Sequence, residues 1–265
     1  MNPFIAAFLT LLALMLAFAA TWLVAVRIGK WAIVDPIWSF SVGFNAVVFA
    51  LFLQGAFSLS TGIICAVALL YSIRLGGHLL KRTLAHDEDD PRYVEFAREW
   101  GEKAKPRMLL FYQFQALGSF ALCLPLFVAI AAPTSVVSVW TLLGLAWCLL
   151  SIAGEALSDW QLASFKKRNN DPKKVCRKGL WRYSRHPNYF FQWAFWLGLI
   201  PLSVNSPLWW ISLISPALML HFLLNVTGIP PTEKRSLESK GDAYRDYQKE
   251  TSAFFPLPPK RNQTA

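Results

Sequence analysis

Charge is scarce in this sequence. Only 16% of its 265 residues are Asp, Glu, Lys or Arg, against about 25% in soluble domains, and 55% are apolar. That excludes an ordinary water-solvated domain. Cysteine is scarce too. The four cysteines, Cys65, Cys123, Cys148 and Cys176, show neither zinc-ligand spacing nor a disulfide framework. They read as small apolar residues, and no metal site is expected. The absence of a G-x-G-x-x-G or Walker sequence removes Rossmann and P-loop nucleotide binding. No internal repeat or low-complexity segment is evident. No basic residue precedes the first apolar run, Met1 to Val26, whereas a cleavable signal peptide normally has one and a shorter apolar core. That run is expected to be a retained span.

What the sequence does hold is long apolar stretches and aromatics, with twelve Trp and twenty Phe. A membrane span needs about 20 apolar residues, and seven stretches qualify: roughly 3–26, 34–53, 60–80, 109–131, 137–160, 189–204 and 207–226. The formal charge of +10 does not point to nucleic acid, because the charges sit in blocks between these runs. Arg27 and Lys30 follow the first span, and a block from Lys81 to Arg107 follows the third. Nine cations from Lys166 to Arg185 follow the fifth, and seven from Lys234 to Arg261 follow the last. The other three connections, near residues 53–59, 131–136 and 203–207, carry no charge. The two kinds of loop alternate, so the positive-inside rule predicts an all-α, seven-span membrane protein with its N-terminus outside and its C-terminus in the cytoplasm. The long inner loops would then carry the machinery. Segment 83–108, with Tyr93, Phe96 and Trp100 at helical spacing, reads as an interfacial amphipathic helix.

Charged side chains inside spans are costly and usually functional. Arg74 and His78 share a helix face, as do Glu155 and Asp159, and Lys166 lies two turns beyond Asp159 on that same face. Asp35 precedes Pro36 and suits a helix N-terminus. His221, alone among Leu and Phe, reads as structural. The richest stretch then runs Lys178-Gly-Leu-Trp-Arg-Tyr-Ser-Arg-His-Pro-Asn-Tyr-Phe-Phe-Gln192. Its cations would attract an anion. Trp181, Tyr183 and Tyr189 offer stacking faces, and Asn188 offers the donor and acceptor that a carboxamide needs. Basic charge, aromatic faces and an amide together suit a nucleotide-like cofactor. A basic loop resting on anionic lipid headgroups would explain the charge alone.

The run GLWRYSRHPNY, with SDWQLASFKK before it and EKRSLESKGDAYRDYQKETSAFFP after it, resembles the C-terminal half of the membrane steroid 5α-reductase family, most closely its bacterial branch. It is more distantly similar to sterol C14-reductases and isoprenylcysteine carboxyl methyltransferases. The likeness covers about residues 150–258 and is weak over the first 110. It implies NADPH as cofactor, with contacts at Asp159, Lys166, Trp181, Arg185, His186, Asn188 and Tyr189, and at Glu233, Tyr244 and Tyr247 in the tail. Gln192 stands where the family usually has an acid, and Lys166 where it often has Arg. The resemblance implies hydride transfer to a steroid-like 3-keto-4-ene, with a donor to the developing enolate in the N-terminal half. A buried neutral carboxylic acid can serve as such a donor; the resemblance implies Asp35 first, where the family has a Glu in a comparable second-span position, and His78 second, near the family's substrate-facing polar pair. The Arg-His-Pro core also permits S-adenosylmethionine-dependent methylation of an isoprenyl or lipid substrate. A single membrane domain is expected, with 1–131 mainly on the substrate side and 137–258 as the cofactor half. The further expectations are a monomer in a bacterial inner membrane, contacting membrane lipids and no nucleic acid.

Overall fold

In the computed structural model the described residues are 1–54, 58–85, 88–132, 136–169 and 171–260, without the side chain of Gln54. All their regular structure is helical. Helix α1 (Pro3–Ile28) starts where the Asn2 side chain accepts the Phe4 N–H at 2.8 Å, which satisfies one of the orphan donors of its first turn. Its buried residues, Ala6, Thr10, Leu14, Phe18, Thr21 and Ala25, recur every three or four positions and form one narrow stripe. The rest of the surface is apolar and open, with Phe4 81% exposed. Water would penalise such a surface and lipid would not.

Five helical stretches are long and apolar enough to cross a membrane: 3–28, 31–53, 59–85, 139–168 and 209–240. A sixth is gained if the bent pair 91–122 and 124–130 counts as one. This is the pattern of a multi-pass α-helical membrane protein. The remaining expected span, 189–204, corresponds to a helix of 17 residues. At 1.5 Å per residue it is about 26 Å long, slightly under the hydrocarbon thickness.

The chain divides into two units, one made of residues 1–145 and 200–215, the other of 146–199 and 216–265. In the first, α2 (Val34–Gln54) packs along α3 (Leu59–Ala85). A Cβ on Gly43 would meet Leu69 Cδ2 at 2.9 Å and the Leu69 Cα at 3.1 Å, so glycine favours this close approach. The closeness lets the Gly43 N–H reach Ser72 Oγ at 2.7 Å. Within segment 83–108, residues 83–85 finish α3, and the amphipathic helix is α4 (Pro91–Trp100). Asp90 caps it and Pro91 occupies its first turn, where a missing N–H costs nothing. Helices α5 (Ala104–Leu122) and α6 (Leu124–Ile130) cover the fourth expected span. They meet at Cys123 with a 44° bend, next to Pro125, which can donate no backbone hydrogen bond.

Helix α7 (Val139–Arg168) runs from the first unit into the second. Its 30 residues make about 45 Å, more than the hydrocarbon needs, so its basic last turn projects beyond the apolar part. Helix α8 is Pro187–Ser203. In the second unit, Trp147 Nε1 on α7 donates to the Ala194 carbonyl on α8 at 2.8 Å. After α9 (Ile214–His221) and a π-helical turn over Phe222–Val226, the apolar run ends. Two polar helices follow, α10 (Ile229–Lys240) and α11 (Asp242–Glu250). The four cysteines are free and buried.

Candidate functional site

The site lies in the second unit, where the loop before α8 meets α7, α10 and α11. The loop is fixed first. Gly179 adopts φ 60°, a region costly for other residues, and the turn presents the Leu180 N–H to Gln161 Oε1 at 2.9 Å. Trp181 is buried, with Nε1 donating to the Ser158 carbonyl on α7 at 2.9 Å. Tyr247, on α11, donates its hydroxyl to the Trp181 carbonyl and lies 3.3 Å from the Ser184 carbonyl. Trp181 and Tyr247 thus hold the loop to α7 and the tail, with their polar atoms turned inward.

Glu233 on α10 is the hub. Its Oε1 accepts from Arg185 Nε at 2.6 Å, from His186 Nε2 at 3.1 Å and from the Tyr244 hydroxyl at 3.2 Å. Its Oε2 accepts from Arg185 Nη2 at 3.1 Å and Gln248 Nε2 at 2.6 Å. Burial alone would raise this carboxyl, but the bonds from His186, Arg185 and Gln248 and the Arg185 charge outweigh it and hold the pKa at about 2. Burial pushes the His186 imidazole below its ordinary 6.5, against the opposing pull of Glu233. A neutral His186 beside an ionised Glu233 must carry its hydrogen on Nε2. Arg185 also donates through Nη1 to the Gln248 carbonyl at 3.2 Å and to the Thr251 carbonyl. A guanidinium so committed is a clamp between loop and tail rather than a fork open to phosphate.

A second group lies at the start of α8. Asn188 Nδ2 donates to Asp159 Oδ1, on α7, at 3.3 Å, and both side chains are half-buried. The Tyr189 ring stacks on His186 with centroids 5.3 Å apart and an interplanar angle of 7°. Thr232 gives its hydrogen to the Gly228 carbonyl at 2.8 Å, so the Tyr189 hydroxyl donates to Thr232 Oγ1 at 3.1 Å. Gln192 is half-buried one turn after Asn188, on the same face. Glu155 is buried on α7, one turn before Asp159, while Lys166 and Tyr183 are exposed. Lys166 is close enough to Lys240, at the end of α10, for its charge to add to burial in lowering the Lys240 pKa.

The two substrate-side candidates lie in the first unit. His78 is exposed on α3. Asp35 holds the amphipathic segment: Oδ2 accepts from Arg92 Nη2 at 2.8 Å and Oδ1 from the Tyr93 hydroxyl at 2.6 Å. Both oxygens accept hydrogen bonds from α4, so this side chain is engaged as an anchor for that helix. Among the described residues no group of three or more His, Cys, Asp or Glu is placed to hold a metal ion.

Residues 21–251 match the family described as protein of unknown function, DUF1295. The chain belongs to that family. Neither the curated proteins nor the solved structures gave a match. Within this DUF1295 member, the sequence reading missed Gln248 and the Thr251 carbonyl as partners of the Arg185–Glu233 pair. A signal for Gln248 was present, since it follows Tyr244 by one helical turn and shares its face. The Thr251 contact comes from a backbone carbonyl and leaves no trace in residue type. Arg92 and Tyr93 were also missed as Asp35 partners, because 57 and 58 positions separate them from it.

Proposed function

We propose that the protein is a membrane oxidoreductase that reduces the carbon–carbon double bond of a ketone-conjugated lipid, a steroid-like 3-keto-4-ene or a related enone, with NADPH. The observation that carries this reading is the half-buried Asp159–Asn188 pair on α7 and α8. An asparagine amide oriented by a carboxylate keeps a carbonyl oxygen and an N–H with which to meet a carboxamide edge. The parallel His186–Tyr189 stack lies beside it in sequence and offers an aromatic surface. Lys166 and Lys240 form a pair of like charges that a phosphate would relieve. Arg185, Trp181, Tyr244 and Tyr247 then act by fixing the loop, and Glu233 by holding Arg185.

A bound NADPH would supply the hydride for the double bond. The chain's part is to orient its carboxamide through Asn188 and Asp159 and to balance its phosphates with Lys166 and Lys240. A further donor must steady the enolate oxygen until the neighbouring carbon is protonated. We assign the apolar helices of the first unit to the lipid substrate. The proposal includes seven spans with α8 as the short sixth, the N-terminus outside, and the second unit's loops facing the cytoplasm of a bacterial cell.

Titration of the purified protein in nanodiscs with NADPH and with S-adenosylmethionine tests the cofactor. NADPH should quench the intrinsic Trp fluorescence saturably, and Asn188→Ala should weaken binding by about tenfold, the loss of one hydrogen bond to a polar partner. Saturable binding of S-adenosylmethionine without NADPH binding would replace this reading with lipid methyl transfer.

A further inference from the structure

A cavity of about 420 Å³ in the second unit is lined by Arg177, Arg182, Glu250, Thr251, Pro259 and Lys260. None of these residues belongs to the Asp159–Asn188 group. Its walls are tied together by the chain. The Lys260 N–H donates to the Glu250 carbonyl at 2.9 Å, Thr251 Oγ1 lies 3.5 Å from the Arg182 carbonyl, and the Leu257 N–H donates to the Tyr183 carbonyl at 3.0 Å. Three cationic side chains therefore face one carboxylate. Glu250 accepts from Arg177 Nη1 at 3.0 Å, and Arg177 is further oriented by the Ala243 carbonyl at 2.9 Å and the Tyr247 ring beneath it. Among the described residues no carboxylate pairs with the Arg182 guanidinium or the Lys260 ammonium. The excess positive charge sits on these two, in a concavity, and the chemistry that satisfies it is a phosphate group.

The surroundings select the source of that phosphate. Tyr183 is 42% exposed, Phe255 48% and Leu257 55%, and the Leu257–Tyr183 backbone bond places this apolar edge next to Arg182. The same tail segment packs on the first turns of α8, with Phe254 and Phe255 5.7 and 5.8 Å from Trp193, where that helix becomes apolar. A soluble phosphate has no use for exposed Tyr, Phe and Leu beside it. A phospholipid does, because aromatic and aliphatic side chains settle at the headgroup–acyl boundary while cations meet the phosphates.

We propose that this cavity holds the headgroup phosphate of an anionic membrane phospholipid, with Arg182 and Lys260 as its principal ligands, Arg177 as the oriented third cation, and Tyr183, Phe255 and Leu257 against its acyl side. The full-length protein, in micelles containing phosphatidylglycerol and phosphatidylcholine, is analysed by native mass spectrometry for retained lipid. One phosphatidylglycerol should stay bound in preference to phosphatidylcholine. The double variant Arg182→Gln, Lys260→Gln should weaken retention about twenty-five-fold, from about fivefold for each cation near an anionic headgroup. Neutralising two cations of the same loop outside the cavity, Lys173→Gln with Lys174→Gln, should leave retention unchanged, and Arg182→Lys with Lys260→Arg should largely preserve it. Equal loss in the Lys173/Lys174 variant would overturn the proposal in favour of general basic attraction, as would equal retention of the two lipids. Competition on the wild-type protein needs no variant. Displacement of phosphatidylglycerol by equimolar inorganic phosphate would make the ligand a soluble anion, and displacement by NADPH would make the cavity part of the cofactor site. Either result contradicts a lipid site.

Discussion

Glu233 makes five side-chain contacts, with Arg185 twice and with His186, Tyr244 and Gln248 once each. The Arg185 and Glu233 side chains are only 10% and 14% exposed. Breaking such a pair leaves a buried charge uncompensated, so Glu233→Gln should lower stability by about 3 kcal/mol, read as a fall in Tm in nanodiscs. The pH dependence follows from the same residues. An unfolded chain protonates His186 near 6.5 and the folded chain only at lower pH, so stability is full above 6.5 and falls as pH drops below it. For Glu233 the unfolded value is 4.5 and the folded one about 2, so its contribution is complete above 4.5 and is lost between 4.5 and 2. Tm against pH should therefore decline in two stages, and Glu233→Gln should flatten the lower one. An unchanged lower stage would mean that Glu233 is not the group titrating there.

At the scale of elements, α4 shows how a distant residue governs a segment. Asp35 at the start of α2 and Asp89 just before α4 tie the two together, Asp89 accepting from the Trp31 and Ala32 N–H groups at 2.6 and 3.0 Å. Tyr93 is buried against Phe96 and Phe111. Asp35→Asn should loosen α4, since a charged acceptor for Arg92 and Tyr93 contributes about 1.5–3 kcal/mol. Limited proteolysis should then cut within residues 88–103 faster than in the wild type. If turnover fell while α4 kept its protection, Asp35 would be acting on substrate and not as an anchor. This helix was legible in the sequence from the spacing of Tyr93, Phe96 and Trp100, and α7 from its apolar run. The engagement of Asp35 was not legible, because Pro36 beside it signals only a helix start, and its partners lie 57 and 58 residues away. In the same way Trp181 and Arg185 have the residue types of cofactor contacts, and only the fold shows their polar atoms spent on Ser158, Glu233 and the tail.

At the scale of the whole molecule, length and composition point to a multi-pass membrane protein with five or six candidate spans, while the topology depends on α8. Its 17 residues match the bilayer only if flanking residues or a local thinning absorb the mismatch. With α8 as a span, a single cysteine introduced at Asn205 should react with a membrane-impermeant maleimide from outside, and one at Lys173 only after permeabilisation. The reverse would invert the orientation, and labelling of both from one side would remove α8 as a span. NADPH-dependent enone reduction is read out by following NADPH absorbance with the protein in nanodiscs and a panel of lipid enones that includes testosterone and progesterone. NADPH should be lost only when an enone is present, with formation of the saturated ketone, and Asn188→Ala together with Asp159→Asn should abolish this. NADPH that stays unconsumed across the panel, while S-adenosylmethionine is converted in the presence of an isoprenyl or lipid acceptor, would contradict it.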